Sequence, residues 1–160
     1  MPTLAGTKVD FDGFREKVLR RTKSQSMVDV YLRGVAKLAQ FGQARFGLEG
    51  DDRQVLQGII DDLSGRDWKD DAIYALVDRF VGWALSLDDA RGDLCPSLKG
   101  EPIMPRTVHR HVEGIKKFLQ YHGIDISNHR FREKVTLPIA AEIPEFRVER
   151  LLKSVYSRLR

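Results

Sequence analysis

The sequence predicts an all-α fold, namely a compact bundle of four to five helices followed by a linker and one further helix. Apolar residues recur at helical spacing along almost the whole chain, and no stretch alternates apolar and polar residues as a strand would. Ser, Asp, Gly and Pro also stand where these periodic stretches begin and end. At 160 residues, the chain is long enough to bury a core without a disulfide or a metal.

Two helices are predicted in the first third of the chain. The first covers residues 10–21 with Asp10 as its N-cap, and its apolar stripe is Phe11, Phe14 and Val18. The second covers residues 26–46 and begins at Ser26-x-x-Asp29, which resembles a capping box. Its buried stripe consists of Met27, Val30, Tyr31, Gly34, Leu38 and Phe41. Its opposite face carries Arg33, Lys37 and Gln40.

The middle of the chain predicts two more helices. Asp51 caps the third, which ends at Gly65 and has the apolar stripe Val55, Leu56, Ile59, Ile60 and Leu63. Asp67 is the expected cap of the fourth, which covers residues 68–87. The residues expected to be buried from the fourth helix are Ile73, Leu76, Val77, Phe80, Ala84 and Leu87.

Residues 88–105 are rich in Gly and Pro and predict a loop before a fifth helix over 105–122. Pro105 suits the first turn of that helix, and Gly123 suits its C-terminal end. Its apolar stripe is Val108, Val112, Ile115, Phe118, Leu119 and His122. Residues 124–144, with Pro138 and Pro144, predict an irregular linker, and a last helix is expected from Glu145 to the chain end at Arg160.

Composition and charge limit the classes of function. The single cysteine, Cys95, excludes an internal disulfide and a multi-cysteine metal site. No apolar run has the length of a transmembrane helix, and the N-terminus lacks a signal-peptide core, so we expect a cytoplasmic protein. The net charge is +5 over residues 1–46, −7 over 47–98 and +6 over 99–160. This alternation fits two basic elements that share a face for a polyanion, or equally well ordinary solvated helix surfaces.

A search for enzyme motifs yields no candidate catalytic residue. A glycine-rich phosphate loop, a nucleophile elbow and an H-E-x-x-H motif are all missing from the sequence. His109 and His111 point to different sides of a helix, and His109 with Glu113 supplies too few ligands for a metal. The paired aspartates at helix ends are explained by capping. We therefore expect no metal, no cofactor and no small-molecule substrate.

The basic side of the fifth helix is the candidate site. Arg106, Thr107, Arg110, Lys116 and Lys117 could follow a phosphate backbone, with Lys23, Arg33 and Lys37 added from the region of the second helix. Thr107 and the free N–H groups of the first turn suit a phosphate oxygen, and arginine suits the edge of a guanine.

The same stretches resemble the core-binding domain of tyrosine recombinases, the phage-type integrases. Ser24-x-x-Met27-x-x-x-Tyr31, followed by Val35, Leu38 and Phe41, resembles the first core helix of that domain. The fifth helix resembles the final helix of that domain in Thr107, the run from Ile115 to Leu119, Tyr121 and Gly123. Residues 134–138 (KVTLP) resemble the linker to the catalytic domain, and residues 145–152 (EFRVERLL) resemble the first helix of that next domain.

The resemblance implies a SAM-like helical bundle that grips double-stranded DNA at a recombination site. It divides the chain into an N-terminal extension (1–23), a DNA-binding domain (24–134) and a linker with the first helix of a truncated catalytic domain (135–160). The candidate DNA-binding residues are then Lys23, Ser24, Arg33, Lys37, Arg106, Thr107, His109, Arg110, Lys116 and Lys117. The sequence departs from the family at Met27, where threonine is common, and in its acidic third and fourth helices.

The resemblance also implies what the chain does not do alone. The catalytic tyrosine and its partners belong to the following domain, so we expect no enzymatic activity from these residues. The expected partners are DNA, the missing catalytic domain and other recombinase protomers on the DNA, which would place the protein with the nucleoid. His129-x-x-Arg132 and Tyr156 mimic catalytic motifs out of context. The alternative function is a helical protein-interaction module with no nucleic-acid role.

Overall fold

Six helices and no strand make up residues 7–85 and 104–138, the part of the chain that the computed structural model describes. This confirms the all-α fold class. The helices are α1 (Phe11–Thr22), α2 (Gln25–Phe46), α3 (Asp52–Leu63), α4 (Asp71–Ala84), α5 (Pro105–Tyr121) and α6 (Asn128–Lys134).

Helix α1 begins as the sequence predicts, whereas α2 begins at Gln25, one residue earlier than expected. The Asp10 side chain accepts a hydrogen bond from the Gly13 N–H at 2.9 Å and caps α1. Ser24, and not Ser26, caps α2 by accepting from the Met27 N–H at 3.2 Å, so the predicted capping box is wrong. Lys23, which joins the helices, adopts the left-handed conformation with φ of 54° and ends α1 sharply.

Four of the six residues predicted to be buried from α2 are buried, namely Tyr31, Gly34, Leu38 and Phe41. Met27 and Val30 are only half-buried, whereas Val28 and Val35 are fully buried. Helices α1 and α5 pack against adjoining sides of α2, so the buried surface of α2 is wider than one apolar stripe.

The apolar stripe of α3 matches its prediction residue by residue. Helix α4 buries Ile73, Val77, Phe80 and Ala84 as predicted, but its start differs. All five predicted stripe residues of α3 are buried, and Asp51 and Gln54 cap each other's backbone reciprocally. Helix α4 begins at Asp71 with Asp70 as its cap. The predicted cap, Asp67, instead accepts from the Lys69 N–H at 2.8 Å within the preceding turn. Trp68, expected inside the helix, is 40% exposed in that turn.

Helix α5 is confirmed in its bounds and its apolar stripe, whereas the irregular linker predicted after it is wrong. Residues 128–134 of that linker form α6, which Ser127 caps through the Arg130 N–H. The buried Phe131 ring packs edge-on against Tyr74 of α4, with 6.5 Å between ring centroids. This seven-residue helix is therefore attached to α4 by the buried Phe131 ring, by the hydrogen bond from the Ser127 N–H to the Tyr74 hydroxyl and by the Arg130–Asp71 ion pair.

The backbones of α2 and α5 approach each other closely at two glycines. A β-carbon added to Gly34 would lie 2.7 Å from the His111 Cα, and one added to Gly114 would lie 2.7 Å from the Tyr31 Cα. Each helix thus offers a glycine to a large residue of the other, and the two helices lock in register.

Hydrogen bonds connect the start of α1 to the C-terminal end of α5. The Asp10 N–H donates to Nε2 of His122 at 2.9 Å, and the Tyr121 hydroxyl donates to the Asp10 carboxylate at 2.8 Å. Because Nε2 accepts, Nδ1 of His122 carries the proton, which it donates to the Phe118 carbonyl at 2.8 Å. His122 is therefore a buried, satisfied core histidine, as its place on the apolar stripe predicts.

Several predicted features lie outside the described residues. They are Leu87, nearly all of the loop 88–105 with Cys95, the linker residues from 139 onward, and the helix expected from Glu145 to Arg160. Within the described part, no helix has the length and apolar character needed to cross a bilayer.

Candidate nucleic-acid interface

Three of the predicted DNA-binding residues line up along one side of α5. Arg106, Arg110 and Lys117 fall within about 40° of one another around the helix axis, and they span about 16 Å along it. Arg106 and Arg110 are exposed, and Lys117 is half-buried. We call these three residues the α5 basic row. The opposite side of the same helix carries Val108, Ile115 and Phe118, which are fully buried.

One anion interrupts the α5 basic row. Glu113 lies one turn before Lys117 and pairs with its ammonium, with 3.4 Å between Oε1 and Nζ. Both side chains are partly exposed, so the pair is weakly held and is open to exchange with a stronger anion.

The amino-terminal turn of α5 has no side-chain cap among the described residues. Met104 stands at the N-cap position and offers no oxygen to the first turn, and Pro105 takes the first helical position. The N–H groups of Arg106 and Thr107 therefore lie next to the positive end of the helix without a side-chain acceptor from the N-cap.

Helix α2 brings two cations close to the middle of α5. Burial is the main reason that the pKa of His111 falls to about 4, and the charges of Lys37 and then Arg33 lower it further. These two charges act on His111 because α2 and α5 cross at Gly34 and His111. At neutral pH, His111 is uncharged, so the positive charge at this crossing comes from Arg33 and Lys37.

The structure separates Lys116 from the α5 basic row. Lys116 lies about 100° around the helix from Lys117, and its Nζ lies over the Phe131 ring, 5.1 Å from the centroid. His109 occupies the same side, with Nε2 2.8 Å from the Pro138 carbonyl oxygen. Both predicted site residues therefore face α6 and the segment that follows it.

Lys23 and Ser24 form the corner between α1 and α2. Lys23 is exposed, and Ser24 is half-buried. The Ser24 hydroxyl accepts from the Met27 N–H and shares a 3.0 Å hydrogen bond with the Ser26 hydroxyl. Ser24 therefore has a structural role as an N-cap, which the sequence analysis did not assign to it.

Other candidate chemistry is explained by the fold. Asp51 and Asp70 are helix caps, as their positions predict. His129 pairs with Glu133 at 2.7 Å on the exposed side of α6, where Arg132 is also exposed. Across residues 7–85 and 104–138, no group of three or more His, Cys, Asp or Glu side chains gathers as a metal site would require.

Sequence reasoning missed the contribution of α1. Lys17 and Arg21 line the same cavity as Lys117, although the two helices are about 100 residues apart in the chain. Their i, i+4 spacing beside the buried Phe14 and Val18 was the available signal, because it places both cations on one edge of the buried stripe.

No family model, curated protein or solved structure matches this chain.

Proposed function

We propose that this chain is a module that binds double-stranded DNA, and that it serves as the core-binding domain of a tyrosine recombinase or phage-type integrase. The observation that carries the proposal is the α5 basic row, three cations on one side of a helix whose other side is fully buried. The motif order from Ser24 to Leu152 supplies the recombinase part of the proposal.

The packing supports the proposal because it fixes the orientation of the basic row. The glycine crossings at Gly34 and Gly114 hold α5 against α2 at backbone contact distance. A helix held in this way presents its outer side chains from a rigid base, which DNA recognition requires if the register on the duplex is to be defined.

Different members of the site suit different parts of the duplex. Thr107 and the uncapped N–H groups of the first turn suit phosphate oxygens, as does Lys117. Arg110 projects from the middle of the row, where a guanidinium could pair with the N7 and O6 atoms of a guanine. Arg33 and Lys37 extend the positive charge onto α2 and would contact the backbone beside α5.

In this proposal the chain itself performs no strand cleavage. The chemistry would belong to a catalytic domain, and the partners would be DNA, that domain and further protomers on the recombination site, in association with the nucleoid. His129 and Arg132 of α6 are given no catalytic role here, because their spacing resembles a catalytic motif that belongs to the following domain. Tyr156 lies outside the described residues.

Duplex binding measured at several salt concentrations tests the proposal. We expect fluorescence anisotropy with a labelled duplex to show binding at 50 mM salt that weakens steeply by 200 mM, with a log–log slope of about −0.9 for each phosphate contacted. The matched control is the double variant Asp61→Asn with Asp62→Asn on α3. It raises the net charge by two, whereas a double alanine variant of the α5 basic row lowers the net charge by two. Absence of binding by the folded protein at 50 mM salt would contradict the proposal.

The alternative, a protein-interaction module, would use a different surface. Phe46 and Leu48 are partly exposed beside an open groove that is also lined by Ile59, Leu63 and Leu76. DNA binding that is insensitive to Phe46→Ser and sensitive to Arg110→Ala favours the DNA-binding function. DNA binding that Phe46→Ser weakens and Arg110→Ala leaves unchanged would contradict the role of the α5 basic row, and the absence of DNA binding would favour the alternative.

A further inference from the structure

A cavity of about 100 Å³ opens between α1 and α5, with α2 beneath it. Its floor is apolar and aromatic, formed by the buried Phe14, Val18 and Tyr31. Three cations surround it, namely Lys17 and Arg21 from α1 and Lys117 from α5. We call it the α1–α5 cavity. Its walls come from three helices of the bundle, so its shape is set by the core.

The three cations are incompletely compensated. Lys117 has the exposed pairing with Glu113, and the Lys17 ammonium lies over the Tyr121 ring, 5.6 Å from its centroid. Arg21 makes no ion pair or hydrogen bond through its side chain within residues 7–85 and 104–138. Like charges gathered at one opening repel each other, and an anion placed between them removes that repulsion.

The cavity also contains a polar group without a partner. Tyr31 is only 6% exposed, yet its hydroxyl forms no hydrogen bond with any other described residue. The hydroxyl oxygen itself is not fully buried, so it is accessible from the cavity and can donate to a ligand there. Burial, and then the charge of Glu113, raise the pKa of Tyr31, so its O–H stays protonated and can donate.

We propose that the α1–α5 cavity binds one phosphate group, and that in the DNA complex this group is a phosphodiester of the DNA backbone. The DNA source of the phosphate rests on the proposed function, whereas the preference for phosphate rests on the cavity alone. Arg21 and Lys17 would contact the oxygens from one side and Lys117 from the other, with the Tyr31 O–H as a neutral donor beneath them. Helix α1 thereby becomes part of the DNA surface, which the resemblance did not assign to it.

The position of Lys117 links the cavity to the rest of the interface. Lys117 ends the α5 basic row and also lines the cavity. A DNA backbone that follows Arg106 and Arg110 along α5 therefore reaches the cavity about two turns of α5 beyond Arg110.

Titration with inorganic phosphate tests the cavity without DNA. Amide spectra of the ¹⁵N-labelled protein are recorded while sodium phosphate replaces sodium chloride at constant ionic strength. We expect saturable shifts for Thr22 and Gln120, two further residues of the cavity wall, and loss of saturation in Arg21→Ala. Shifts that do not saturate, or that Arg21→Ala leaves unchanged, would overturn the phosphate site.

Duplex binding by two matched variants tests the source of the phosphate. Arg21 and Arg15 are both exposed arginines of α1, but only Arg21 lines the cavity. Arg21→Ala should weaken duplex binding about eightfold at 0.1 M salt and reduce the magnitude of the salt slope by about 0.9, whereas Arg15→Ala should change the affinity less than about twofold. Tyr31→Phe should weaken binding while leaving the slope unchanged, because it removes a neutral donor.

The outcomes separate this proposal from the proposed function. Equal effects of Arg21→Ala and Arg15→Ala on a duplex that binds would overturn the role of the cavity and leave the DNA-binding function standing. Saturable phosphate binding by a protein that binds no duplex would overturn the DNA source and the proposed function together, while supporting the cavity as a phosphate site.

Discussion

Gly34 of α2 lies directly beneath His111 of α5, so close that a β-carbon on residue 34 would be 2.7 Å from the His111 Cα and 2.8 Å from its carbonyl oxygen. This approach is possible because glycine has no side chain, and it brings the two basic helices together. It also buries His111 between them, with Nδ1 lacking a hydrogen-bond partner among the described residues.

Gly34→Ala should therefore be strongly destabilising. The new methyl group meets backbone atoms that cannot rotate away, so α5 must shift from α2, at a cost of about 1–3 kcal/mol. Gly58→Ala is the matched control, because a β-carbon at this exposed α3 position meets nothing within 4 Å, and alanine should stabilise the helix by roughly 0.5–1 kcal/mol. Urea unfolding followed by circular dichroism measures both. Equal effects of the two variants would show that the crossing is not tightly packed.

The burial of His111 predicts a specific pH dependence of stability. The pKa of His111 is about 4 in the folded protein, against 6.5 for an ordinary histidine. Between pH 4 and pH 6.5, His111 is mostly protonated in the unfolded chain and mostly neutral in the folded protein. The free energy of unfolding therefore rises with pH across this window. The His111 contribution is complete above pH 6.5, and up to about 3 kcal/mol is lost as the pH falls to 4.

Urea unfolding of the wild type and of His111→Gln at pH 7 and pH 4.5 isolates this contribution. The wild type should lose about 2–3 kcal/mol more than the variant over this interval. Both proteins share the carboxylates and His122, so their common pH dependence cancels. Identical losses in the two proteins would mean that the His111 pKa is not depressed.

Charge removal on α5 should depend on the side of the helix. Lys117→Ala should reduce the magnitude of the duplex salt slope by about 0.9, because it removes one phosphate contact. Arg110→Ala should instead cost about 1–3 kcal/mol of discrimination between bases, because it removes the contact to a guanine edge. Lys116→Ala should leave the slope unchanged and instead cost about 0.5–1 kcal/mol of folding stability, because its ammonium lies over Phe131. Anisotropy and thermal unfolding provide the two measurements. Equal slope changes for Lys116 and Lys117 would indicate diffuse attraction rather than a defined face.

Tyr74→Phe should loosen the attachment of α6. The Tyr74 hydroxyl donates to the Trp68 carbonyl at 2.6 Å and accepts from the Ser127 N–H at 3.1 Å. Its loss leaves two backbone groups without this partner and should cost about 1–3 kcal/mol. Tyr121→Phe serves as the control, because it loses a solvent-exposed hydrogen bond to Asp10 and should cost about 0.5–1.5 kcal/mol. A smaller effect for Tyr74→Phe than for Tyr121→Phe in thermal unfolding would contradict this view of the α4–α6 contact.

Periodicity predicted those helices that bury one clean apolar stripe. For α3, the stripe from Val55 to Leu63 and its Asp51 cap are as the sequence predicts. The start of α4 was wrong because two aspartates could serve as the cap, and the apolar Trp68 extended the pattern toward Asp67. Helix α6 was missed because seven residues with Phe131 as their one buried side chain show no period.

The candidate site could be predicted only within single helices. The alignment of Arg106, Arg110 and Lys117 follows from their spacing along α5. The separation of Lys116 depends on α6, and the convergence of Lys17 and Arg21 on Lys117 depends on how α1 packs. Neither packing arrangement is encoded in the periodicity of one segment, because both depend on contacts between residues far apart in the chain.

The hydrogen bond from the Asp10 N–H to His122 joins residues 112 positions apart, and this has a consequence for synthesis. A ribosome adds roughly 5–20 residues per second, so α1 waits about 6–22 s for the end of α5 to be made. Until then the apolar side of α1 has no α5 to cover it. In stalled nascent chains of increasing length, α1 should become protected from protease only after residue 122 has left the exit tunnel. Protection in shorter chains would show that α1 has a temporary partner, and α5 would then complete a fold that has already begun.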